Sequence, residues 1–164
     1  MLSILVFNEL SPSVPGVAAS SQVVQGSSAV GTIGIATQQL DDFQALFFEA
    51  EITGAAGGTL DVYVQNSPDM GTRWYDYIHF GQSLAGSGTS RQVCSVASGA
   101  QNLSLQTVGF GLSPALANNT VLGGAWGDRF RLVMVAGAGT TAGGVVTVRI
   151  VGQRMFPWGS RAGS

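Results

Sequence analysis

Charge is what this chain most lacks. Only 10% of its 164 residues are Asp, Glu, Lys or Arg, where an average soluble domain carries about 25%. Lysine is absent, and the seven arginines that supply all the positive charge are scattered. Proteins hold a phosphate backbone through clustered Lys and Arg that displace counterions. The one close pair, Arg129 and Arg131, makes no such track, and a net charge of −2 points the same way. Nucleic acid is therefore not an expected partner. Cysteine is nearly absent too: Cys94 stands alone, which excludes an intrachain disulfide framework and a cysteine-based zinc site. No apolar run approaches the ~20 residues that span a bilayer as a helix, so no membrane partner is expected. Leu2–Phe7 is apolar but has no basic residue before it and meets Asn8 and Glu9 at once, a poor match to a secretory signal. These features predict a chain made in a cytosol. Low charge with a mean hydropathy of +0.30 also argues against intrinsic disorder, which needs the opposite balance.

What the chain has is β-pattern and glycine, 24 residues of it. Helical periodicity is scarce. Apolar and polar residues alternate, and Gly, Ser, Asn and Thr clusters interrupt the chain at short intervals, the pattern of an all-β antiparallel sandwich. Phe43–Thr53 places Phe48, Ala50 and Ile52 on one face and Phe47, Glu49 and Glu51 on the other. Leu60–Asn66 turns Leu60, Val62 and Val64 inward and Asp61, Tyr63 and Gln65 outward. Ser67–Arg73 reads as a turn. Trp74–Phe80 sets Trp74, Ile78 and Phe80 against Tyr75, Tyr77 and His79. Shorter strands are expected at Arg91–Ala97 and Asn102–Phe110. Arg129–Ala136 alternates Phe130, Leu132 and Met134 with Arg129, Arg131, Val133 and Val135, and Val145–Arg154 returns after a Gly-rich turn as a hairpin. Glu49–Gln65 and Val133–Gln153 resemble each other as strand, Gly/Ala loop and strand. They read either as two hairpins, one in each sheet, or as two unrelated turns.

Residues 1–40 differ from this globular part. They hold Pro12 and Pro15, no aromatic after Phe7 and no charge between Glu9 and Asp41. Short strands are possible at Ser21–Gln25 and Val30–Ala36. The segment is expected to be an N-terminal arm with one or two short strands, lying on a neighbouring subunit or supplying a first strand. Residues 41–154 form the sandwich, jelly-roll-like or Ig-like, and 155–164 a C-terminal tail. In that tail Phe156 and Trp158 follow the last strand around Pro157, either as anchors for a partner's pocket or folded back over the sandwich's end.

Chemistry is hard to place on these residues. His79 is the only histidine, so any nucleophilic triad must use it, and no Gly-x-Ser-x-Gly elbow is present. Asp41, Asp42, Asp69, Asp76, Glu49 and Glu51 show no calcium-loop spacing. Glu49 and Glu51 share one strand face, too parallel to flank a glycosidic bond. The glycine-rich segments join strand to strand and lack a nucleotide-site lysine. No catalytic residue, cofactor or metal is expected. Tyr63, Tyr75 and Tyr77, with Trp74, offer flat rings for a sugar. The competing reading puts Tyr63, Tyr75, Tyr77 and His79, with Phe156 and Trp158, at a subunit interface, where tyrosine is enriched.

The segment TLDVYVQNSPDMGTRWYDYIHF (Thr59–Phe80) resembles a strand–turn–strand that recurs in small structural proteins of tailed bacteriophages. Leu60, Asp61, Val62, Gln65, Ser67, Asp69, Trp74, Asp76 and Phe80 stand where that pattern places them, while Met70 replaces the usual first glycine of the turn. Gly127–Gly152 resembles the closing hairpin of the same proteins, and the two stretches span roughly a third of the chain. The resemblance implies a β-sandwich without enzymatic activity, located in the virion. Its function would be capsid decoration, or cement, bridging neighbouring capsomers. The implied partners are the major capsid protein or another virion protein and further copies of the chain, with a trimer matching the threefold positions of a shell. The alternative is a receptor- or carbohydrate-binding module of a tail or head fibre.

Overall fold

The computed structural model describes residues 3–7, 19–25, 43–53, 58–69, 71–84, 88–97, 107–109, 113–127, 129–136 and 146–154. Among these residues ten strands run in order: β1 (Ser3–Phe7), β2 (Ala19–Gln25), β3 (Phe43–Thr53), β4 (Thr59–Ser67), β5 (Tyr75–His79), β6 (Ser83–Leu84), β7 (Thr89–Ala97), β8 (Thr120–Val121), β9 (Arg129–Ala136) and β10 (Val146–Arg154). They form two antiparallel sheets. The first has the order β1-β10-β3-β7; the second has β2-β9-β4-β5-β8, with β6 beside β4. Without the two-residue strands β6 and β8, two four-stranded sheets remain, and the chain crosses between them at every connection except β4–β5, the strand order of a jelly roll, the double Greek key. All-β architecture in a two-sheet sandwich is thus as the alternation predicts. No helix among the described residues is long and apolar enough to cross a membrane.

The core lies between the sheets. Leu46, Phe48, Ala50 and Ile52 of β3 and Val146, Val148 and Ile150 of β10 face Leu60, Val62 and Val64 of β4 and Phe130, Leu132 and Met134 of β9. Phe48 and Phe130 meet edge to face across the two layers at 5.5 Å, the geometry that aromatic quadrupoles favour. Gly152 of β10 takes the ring of Phe43 where a side chain would otherwise stand: a Cβ there would lie 2.3 Å from the Phe43 ring.

The expected hairpin at the C-terminal end is not one. β9 pairs with β2 and β4, whereas β10 pairs with β1 and β3. The connection therefore arches from one sheet to the other. β3 and β4 are joined in the same way, and the two similar segments pair strand by strand: β3 with β10 in the first sheet, β4 with β9 in the second. Each segment spans both sheets, so the reading as two hairpins, one in each sheet, is not right. An arch and a hairpin have the same local pattern of alternating strands around a glycine-rich turn, and only the partner strands tell them apart.

β1 and β2 lie at one edge of each sheet, paired to β10 and β9 of the same chain. The sandwich thus draws strands from before residue 41. The strand expected at Val30–Ala36 lies outside the described residues. Of Asn102–Phe110, residues 107–109 are described and are not in a strand.

Candidate functional site

The buried polar residues gather on the second sheet, most of them on its outer face. A β-bulge puts them there. Val64 pairs with Ile78, but the next pair is Gln65 with Asp76, so Tyr77 is the extra residue. A bulge re-aims the side chains around it. Tyr77 and Ile78 both enter the core, while Asp76 and His79 both join the outer face beside Gln65 and Tyr63. The strict alternation expected for Trp74–Phe80 fails at this point. Tyr77, expected outside, packs against Phe48 and Phe130 and donates its hydroxyl to the Gly124 carbonyl at 3.1 Å. Trp74, expected in the core, lies under the Arg131 guanidinium, 4.7 Å from the ring centroid.

Across this face lies a strap made of residues 107–109 and 113–119. Asp76, only 1% exposed, fastens it. Its Oδ2 accepts the backbone N–H groups of Gly109, Ala115 and Leu116 at 2.7, 2.7 and 2.9 Å. Its Oδ1 accepts Gln65 Nε2 at 2.7 Å, and Gln65 Oε1 in turn accepts Arg131 Nε at 2.8 Å. Burial lowers the pKa of Arg131, partly offset by the charge of Asp76. Under the strap, Leu116 packs on Tyr63 and Val133 in a second small core, with Val108, Leu122 and Val135 around it.

A second cluster holds the other end. His79 is buried, and its ring stacks on Tyr63 with centroids 3.9 Å apart. Both ring nitrogens face acceptors: Nδ1 lies 2.8 Å from the Leu116 carbonyl and Nε2 lies 3.1 Å from Asp61 Oδ1. Gln82 Nε2 donates to both Asp61 oxygens at 2.9 Å, and the Gln82 N–H donates to Asn118 Oδ1 at 2.9 Å. Burial pushes the Asp61 carboxyl up, but the hydrogen bonds from His79 and Gln82 outweigh it and leave the pKa below the usual value. Tyr63 is pushed up to about 12 by burial, with Asp61 and Asp76 adding to the effect.

The turn between β4 and β5 is similarly closed on itself. Ser67 Oγ accepts the Gly71 and Asp69 N–H groups at 2.8 and 3.3 Å. Asp69 accepts the N–H and Nε–H of Arg73 at 2.8 and 2.7 Å. Gly71 has φ +91°, a conformation that favours glycine over any L side chain. Asn66 Oδ1 accepts the Gly127 N–H at 2.8 Å and its Nδ2 donates to the Arg129 carbonyl at 3.0 Å.

These contacts show what the face does chemically. Both nitrogens of His79 are engaged inside the chain, so in this arrangement neither is directed at an outside substrate. Asp69 and Asp76 each spend their oxygens on N–H or O–H donors of the chain itself, and no group of three or more metal-ligating side chains occurs among the described residues. Tyr63, Tyr77 and Trp74 are buried under their own chain and do not make an open stacking platform. Tyr75 is half-buried, and Phe156 and Trp158 lie outside the described residues. The structure thus brings Tyr63 and His79 together and sends Tyr77 to the core. The strap went unforeseen in the sequence, although Ser113-Pro114 and Asn118-Asn119 are turn-forming pairs that bracket it.

The exposed apolar side chains lie elsewhere. Among the described residues, Val93 on β7, Phe47 on β3, Val121 on β8 and Leu84 on β6 are the large exposed hydrophobics. Val93 and Val121 share a shallow cavity of about 120 Å³ with Cys94, Phe80 and Asn119, at the side where β7 and β8 end their sheets. There the Gln92 amide bridges the sheets, accepting the Gly81 N–H and donating to the Gly81 carbonyl. Burial pushes the Cys94 thiol up to about 11. No family model, curated protein or solved structure matches this chain.

Proposed function

We propose that this chain is a structural protein of a tailed-bacteriophage virion, a capsid decoration protein that bridges neighbouring capsomers. One observation carries the reading. The polar residues of the phage-like segment, Gln65, Ser67, Asp69, Trp74 and Asp76, are all engaged in holding the chain's own turn and strap. A motif whose side chains serve the fold suits a scaffold better than a site for turnover. Jelly rolls recur in viral capsid and lectin domains, so the strand order agrees with the resemblance. The charge deficit agrees as well: a lone soluble domain keeps a well-charged surface, whereas a neutral one suits a chain covered by its own copies and by a shell. On this reading the protein is made in the host cytoplasm, assembles as a homo-oligomer and ends in the virion against the major capsid protein. Many weak contacts on a lattice act together, so modest affinity per copy suffices.

The test is composition of particles. Phage particles purified from a host carrying this sequence are analysed by mass spectrometry and by labelling with an antibody to the chain. The reading expects many copies per particle, arrayed over the head. Label confined to the tail tip, together with binding on a glycan array, would replace it with the receptor-binding alternative.

A further inference from the structure

β7 is the terminal strand of the first sheet. It pairs with β3 through nine successive residues and no bulge. Proteins blunt such edges with lysine, proline, bulges or very short strands. β7 has no proline and no lysine, and its one charge, Arg91, is tied back to Glu51 at 2.9 Å. Two other edges are blunted, whereas β2, at seven residues and also without a bulge, is not. β1 is five residues long with a register shift between Leu5 and Phe7, and β8 is two residues long. Val93, at the centre of β7, is 62% exposed.

We propose that β7 pairs antiparallel with β7 of a second copy about a two-fold axis at Val93, merging two four-stranded sheets into one of eight. The proposal rests on the assembly reading above and names the surface that assembly uses. The strand is self-complementary in this register. Val93 faces Val93 of the partner subunit, and Arg91 faces Ser95 of the partner subunit. Side chains that point outward on one strand meet outward ones on the other, as a period of two requires. No like charges meet: Glu49, beside Val93 in the sheet, is held by Arg149 at 3.3 Å, and Arg91 by Glu51. Slipping the strands towards their N-terminal ends would bring the two Arg91 side chains face to face. Slipping them in either direction loses ladder pairs. Full overlap at Val93 is the register that avoids both. A two-fold seam joins copies in pairs, whatever further contacts complete a shell.

Cysteine cross-linking tests this directly. Val93→Cys in a Cys94→Ser background places two thiols at directly opposed positions, where Cα atoms of antiparallel partners stand about 4.5–5.5 Å apart, within disulfide reach. Ser95→Cys in the same background places them four residues apart along the strands, roughly 13 Å, beyond reach. The proposal expects a disulfide-linked dimer from the first variant under mild oxidation and at least tenfold less from the second. It also expects sedimentation of the unmodified chain as a dimer or its multiple. Val93→Lys, an exposed substitution that keeps the far-UV spectrum, should halve that mass. Equal cross-linking of the two variants, no cross-linking of either, or a strictly monomeric unmodified chain overturns the pairing. A chain found in particles without the cross-link overturns the seam alone; a cross-linked chain missing from every particle overturns the virion reading alone.

Discussion

Asp76→Asn tests the strap most sharply, because it keeps the shape of the side chain and changes only its hydrogen-bonding character. In the native chain the bonds run one way: Arg131 donates to Gln65, and Gln65 donates to Asp76. The other carboxylate oxygen holds three backbone N–H groups of the strap. An asparagine that keeps its carbonyl oxygen on those N–H groups turns its own NH2 towards Gln65 Nε2, donor against donor. Flipping the Gln65 amide moves the conflict to Arg131. One buried donor is therefore unsatisfied in either arrangement, and three charge-assisted bonds become neutral ones. An unsatisfied buried donor costs about 1–3 kcal/mol, and hydrogen bonds to charged groups are worth roughly twice neutral ones. The expected loss is about 3 kcal/mol, a large part of the ~5–15 kcal/mol that stabilises a domain. With a urea slope of about 2 kcal/mol per molar, the unfolding midpoint should fall by roughly 1.5 M. Hydrogen exchange at the Gly109, Ala115 and Leu116 amides should accelerate more than exchange in β3 and β10, which the strap does not touch. A midpoint shift under about 0.5 M with unchanged strap protection would refute the reasoning.

Three further outcomes follow from the same contacts. Gly152→Ala forces a methyl group into the Phe43 ring and should destabilise by about 1–3 kcal/mol, as overpacking does, with Phe43→Leu in the same chain recovering part of the loss; urea titration of the two variants measures it. Asp61 has a lowered pKa in the fold, so its stabilisation is full above the unfolded value and disappears as pH falls through the folded one. Stability against pH should therefore decline less steeply below about pH 4 in Asp61→Asn than in the native chain. Cys94, with its thiol pushed up to about 11, should alkylate at pH 8 at least a hundredfold more slowly than an ordinary thiol of pKa near 8.5, with the rate still rising at pH 10.

The inward and outward faces of β3, β4 and β9 were legible in the sequence, because a two-sheet sandwich leaves one side of each strand dry and imposes a period of two. Phe48, Val62 and Leu132 stand where alternation places them. β5 was not legible in the same way. Its bulge inserts one residue without a glycine or proline to mark it. In WYDYIHF nearly every position is aromatic or apolar, so a shift of face leaves no trace. The two arches were misread because partner choice is non-local. β1 and the strap were missed for a different reason: each is short, and each is stabilised by groups distant in sequence, β1 by pairing with β10 and the strap by Asp76. The same carboxylate ties together polar positions of the Thr59–Phe80 segment. Gln65, Trp74 and Asp76 are spaced to reach Arg131 and one another across the bulged strands, which is a structural constraint and needs no ligand.

The central claim is that this chain is built into a virion as a repeated structural copy. Quantitative mass spectrometry of gradient-purified particles measures that most directly, as copies of this chain per copy of the major capsid protein. The account predicts a fixed ratio, with dozens or more copies per head, unchanged by repeated purification. A ratio that falls towards zero with each purification step would contradict it.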